Sequence, residues 1–84
     1  FKYHHIFSIL MEIELGELDE RKRFEIKLQI ALYETAEKVK QPERVEEFEE
    51  YQKERVAKIK EILGYEGKTL RIFENGQLIF EVKE

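Results

Sequence analysis

The sequence predicts a two-layer α+β fold in the order β-β-α-α-β-β, with a four-stranded antiparallel sheet packed against one long helix (about 43–63) and one short helix (about 34–40). Three observations lead there. Apolar residues alternate with period two over residues 5–15 and again over 23–33, they recur with helical period over 43–63, and an Asn75-Gly76 turn divides two further alternating runs near the end.

The first run places His5, Phe7, Ile9, Met11, Ile13 and Leu15 on one face, with Ser8, Glu12 and Glu14 on the other. Successive side chains of a strand point to opposite faces, so this is a half-buried strand. The chain opens on Phe1 rather than Met, leaving room for upstream residues. Because the alternation runs through Met11, that residue reads as strand and not as a start. "GELDERKR" then breaks the pattern, with Gly16 and Asp19 as turn material.

The stretch "FEIKLQIALY" is built largely of good helix formers. At 180° per residue, however, Phe24, Ile26, Leu28, Ile30 and Leu32 share one face. At 100° per residue the same five scatter over about 240° and leave no polar side. Period therefore argues for a strand over 23–33, forming a hairpin with 5–15. "ETAEKVK" at 34–40 follows as a short helix, and Pro42 suits the first turn of the next one. In that longer helix Val45, Phe48, Tyr51, Val56, Ile59, Ile62 and Leu63 gather on one broad face, acids precede bases along the polar face as the helix dipole favours, and Gly64 supplies the stop. For the closing hairpin, a three-residue loop of Glu74-Asn75-Gly76 aligns Leu70, Ile72, Leu78, Phe80 and Val82 on one face, which a two-residue loop does not.

At 84 residues the chain is read as a single domain, 1–84, with no cysteine to staple it. Glu dominates the acids, with Asp19 the only aspartate, and Lys outnumbers Arg. Abundant Glu and Lys with few thermolabile side chains match proteins from very hot environments. A net charge of −4 with no basic cluster disfavours nucleic-acid binding. The longest uncharged stretch, 3–11, is too short to span a bilayer and lacks a signal-peptide cleavage pattern, so no membrane association is expected and the cytoplasm is the default location.

The inventory for chemistry is thin. His4 and His5 are adjacent and would point to opposite faces of a strand, Ser8 lies outside any nucleophile elbow, and the glycines at 16, 64, 67 and 76 are isolated. Glu12-Ile13-Glu14 resembles the start of the E-x-E-x-K signature of CYTH-type triphosphate tunnel proteins, in which strand carboxylates bind a divalent metal and basic residues bind phosphate. Position 16 is Gly where that signature has Lys, and the tunnel needs about twice this length. The ordinary alternative is a solvated strand face.

No catalytic, cofactor-binding or metal residue is assigned, and no cofactor is expected. The leading expectation is a non-enzymatic interaction or oligomerisation module. It would self-associate or bind a protein partner through the outer sheet face or an edge strand, with Ile6, Leu10, Tyr33, Phe73 and Ile79 as interface residues. The alternative is a metal- or phosphate-dependent binder or enzyme centred on Glu12, Glu14 and Lys27. A nucleic-acid-associated role ranks third.

Overall fold

A computed structural model describes residues 10–84. Its elements are β1 (Leu10–Glu14), α1 (Glu20–Val39), α2 (Val45–Leu63), β2 (Thr69–Glu74) and β3 (Gln77–Lys83), with short 3₁₀ turns at Leu15–Glu17 and Pro42–Arg44. The fold is α+β, with two helices and a three-stranded sheet in the order β1-β2-β3. This corrects the expected four-stranded antiparallel sheet. Residues 5–9 of the first predicted strand lie outside the described residues, 10–14 form β1, and Leu15 opens the 3₁₀ turn.

The second predicted strand, 23–33, is helical, and the short helix expected at 34–40 is the continuation of the same helix, α1. Asp19 is its cap rather than turn material, its carboxylate accepting from the Lys22 amide at 2.8 Å. The period test failed because it allowed a helix only one apolar side. Ile26 and Ile30 are buried toward the sheet, whereas Phe24 and Leu28 stand in solvent on the opposite side. Alternating residues that scatter around a helix are what two apolar faces produce, and the helix formers of this segment then decide the backbone.

With α1 helical, β1 has no hairpin partner. The chain passes through the antiparallel pair α1–α2 and returns as β2 parallel to β1, with Met11 beside Leu70 and Ile13 beside Ile72. Parallel neighbours need a crossover of a dozen or more residues, which the helix pair provides. Met11 and Ile13 from β1, Leu70 and Ile72 from β2, and Phe80 from β3 form the covered face of the sheet. Ile26, Ile30, Val56 and Ile59 pack on it from the helices.

The long helix of the sequence reading is present as α2, preceded by Pro42 in its 3₁₀ turn. Gly64 ends it at φ 68, and the Tyr65 amide donates to the Lys60 carbonyl at 2.9 Å. Tyr51, expected on the packing face, is exposed, and Gln52 is buried in that region instead.

The closing hairpin also differs in its loop. Glu74 pairs with Gln77 and Phe73 with Leu78 around a two-residue turn, with Asn75 at φ 54 and Gly76 at φ 77. Positive φ at both turn residues matches the twist of the flanking strands. A register shift at Ile79 then sets Ile72 against Phe80 and Leu70 against Val82. The bulge thus restores the face pattern that had argued for a longer loop, at the cost of Leu78, which is left exposed.

Candidate functional site

The uncovered face of the sheet carries a charged row. Register places Glu12, Arg71 and Glu81 side by side across the three strands. Arg71 donates to Glu12 Oε2 at 3.0 Å and to Glu81 Oε2 at 2.6 Å. Bonding to Glu81, and then to Glu12, raises the Arg71 guanidinium above its ordinary pKa, and Arg71 lowers the Glu81 carboxyl.

Glu14 does something else. Its Oε1 accepts from the Gly76 amide and its Oε2 from the Asn75 amide, both at 2.9 Å, so the carboxylate closes the turn of the distant hairpin. These amides, Gly76 first, hold its pKa below the usual carboxyl range. Lys27 projects from α1 and pairs with Glu74 at 2.8 Å. The three residues considered for a metal or phosphate site are therefore each engaged with a different protein group. Among the described residues there is no group of three or more His, Cys, Asp or Glu able to hold a metal ion.

The expected interface residues are also dispersed. Leu10 and Phe73 share the outer sheet face, but Leu10 lies beside Thr69, at the far end of β2 from Phe73, and the Glu12–Arg71–Glu81 row runs between them. Tyr33 is on α1, where its ring meets Phe80 edge-on with centroids 5.1 Å apart. Ile79, at the bulge, is half-buried against the core. Ile6 lies outside the described residues.

A further apolar surface lies on the helical layer, where the sequence reading had not placed one. At 100° per residue, Phe24, Leu28, Ala31, Thr35 and Val39 fall within about 80° of one another, opposite Ile26, Ile30 and Tyr33. Phe24 is 67% exposed, Val39 52% and Leu28 45%. Beside this stripe, between α1 and α2, runs an open groove of about 390 Å³ whose walls include Leu32, Val39, Phe48 and Tyr51.

The floor between the helices is polar but largely satisfied. Gln52 donates to the Tyr33 carbonyl at 3.2 Å and to Glu37 at 2.9 Å, and its bond is the first cause of the lowered Glu37 pKa, followed by Lys40. Arg55 donates to Gln29 at 3.1 Å and lies over the Tyr51 ring, 4.8 Å from its centroid. Its Nε is buried without an acceptor. A second groove, of about 560 Å³, opens near the end of β3 between lysines and glutamates of mixed sign, among them Lys40, Lys53, Glu37 and Glu49.

The chain matches no family model. Neither the curated proteins nor the solved structures hold a match to it either. Among the described residues no helix is long and apolar enough to cross a membrane. The one sequence signal for the helical surface was the absence of a polar side when 24–32 was wound as a helix.

Proposed function

We propose that this chain is a non-enzymatic interaction module whose docking surface is the outer face of α1 together with the groove between the helices. The observation that carries the reading is the pair of opposed apolar faces on α1, one packed on the sheet and the other left in water. An exposed contiguous apolar patch marks a partner surface in a folded domain, since burying it returns roughly 25 cal/mol per Å². The sheet face is the weaker candidate because charge divides its apolar residues.

Abundant ion pairs support a source adapted to heat. The Glu12–Arg71–Glu81 row and the Lys60–Glu84 pair, which ties α2 to the end of β3, are of the networked kind favoured at high temperature.

An apolar dye tests the docking surface. Dye fluorescence should rise with the native chain, held dilute, and be lost in Leu28→Glu and Val39→Glu variants whose circular dichroism is native. Equal dye binding by native chain and variants would overturn the reading.

A further inference from the structure

We infer that the partner on this face is a second copy of the chain, packed with the two α1 helices antiparallel about a two-fold axis that passes between Ala31 and Leu32. This rests on the docking reading above and names its partner.

The order of residues along the stripe is self-complementary under that axis. Antiparallel pairing about the midpoint of 31 and 32 sets Phe24 against Val39 of the partner subunit and Leu28 against the partner's Thr35, while the two copies of Ala31 meet next to the axis. Each residue of the stripe thus meets an apolar or small one from Phe24 to Val39. The intervals from Phe24 to Leu28, Ala31 and Thr35 are 4, 3 and 4 residues, the spacing of a seam between helices packed at a shallow angle. No residue of the stripe from Phe24 to Val39 is charged.

Size agrees. Twenty residues of helix extend about 30 Å, and two neighbouring helices present a width of about 20 Å. That is on the order of 600 Å² in projection, and more once the corrugation of side chains is followed, against the ~800 Å² per partner typical of a stable association. An antiparallel pair also sets the amino end of each α1 beside the carboxyl end of its partner, the favourable arrangement of helix dipoles.

The absence of native cysteine makes the register directly testable. With axes roughly 8–10 Å apart and Cα atoms about 2.3 Å from each axis, the two copies of residue 31 approach within about 6 Å, inside disulfide range. Two copies of residue 35, or of residue 28, are offset by about 10 Å along the helix and lie outside it.

The native chain should therefore sediment at twice its 10.2 kDa mass. Under mild oxidation Ala31→Cys should form a covalent dimer, while Thr35→Cys and Leu28→Cys alone should not and their mixture should. A native chain that stays at 10.2 kDa at all concentrations would overturn the inference. A dimer in which Thr35→Cys links to itself and Ala31→Cys does not would overturn it as well. In either case the docking reading survives if the native chain binds the apolar dye and Leu28→Glu does not, and falls if the two behave alike.

Discussion

The Glu14 carboxylate and the Gly76 amide meet at 2.9 Å although 62 residues separate them, and the Asn75 amide meets the same carboxylate at the same distance. A side chain at the end of β1 thereby holds the turn that joins β2 to β3, so the three strands are coupled at one corner by a single anion. Its pKa lies below the ordinary carboxyl range, which fixes the sign of the pH dependence. A depressed carboxyl pKa contributes stability that is fully present above the unfolded value and is lost as pH falls through the folded value. Urea midpoints of the native chain should fall as pH drops below the usual carboxyl range, and Glu14→Gln should show a shallower fall. Parallel curves for the two proteins would remove Glu14 from that role. Glu37 and Glu81 carry shifts of the same sign, so part of the acid loss should remain in the variant.

Removing Arg71 should leave Glu12 and Glu81 as like charges flanking an empty position on neighbouring strands. Arg71→Met should therefore lower the thermal midpoint at low salt, and the deficit should shrink in 1 M salt, where charges more than about 3 Å apart are screened. A deficit that does not respond to salt would assign the role of Arg71 to packing of its stem across the sheet.

Two substitutions in one segment separate its two faces. Ile26 is fully buried, and Ile26→Ala should cost about 2–5 kcal/mol by loss of contacts and cavity formation. Leu28→Ala, two residues on, should change monomer stability by less than about 0.5 kcal/mol, as ordinary surface changes do. Chemical denaturation of dilute protein measures both. Comparable costs at 26 and 28 would point to one shared face, as in a strand.

At the start of the same helix, Asp19→Ala should cost about 1 kcal/mol by removing the bond to the Lys22 amide. At the hairpin, Gly76→Ala meets no neighbouring atom within 4 Å, yet φ is +77. The expected loss of about 1–2 kcal/mol is conformational alone, and Asn75→Gly should not reproduce it. Thermal unfolding of the three variants checks these figures.

How much of this was legible in the sequence differs by element. The long helix, with Pro42 before it and Gly64 after it, and the strand nature of Met11 and Ile13 follow from local pattern, because each buries one face and exposes the other. The hairpin was legible as a hairpin, but loop length and bulge placement are coupled. A two-residue turn plus a bulge at Ile79 brings Leu70, Ile72, Phe80 and Val82 to the inner face as a three-residue loop would, with Leu78 alone turned outward. Residues 23–33 defeated the pattern because α1 is apolar on two sides, so its helix formers gave the better guide. Parallel pairing of β1 with β2 leaves no local trace, since the contacts that fix it, such as Glu14 with Gly76, are long-range. The candidate surface went unread for the same reason as the helix. Phe24, Leu28 and Ala31 were assigned to a strand, where Phe24 and Leu28 would have been core, and Thr35 and Val39 to a separate short helix.

The central claim, that the outer face of α1 is closed by a second copy, is tested most directly by the thermal midpoint as a function of protein concentration. Dimer formation stabilises the native state by mass action, so the midpoint of the native chain should rise steadily over a hundredfold increase in concentration, and that of Leu28→Glu should stay constant. A native midpoint independent of concentration would contradict the claim.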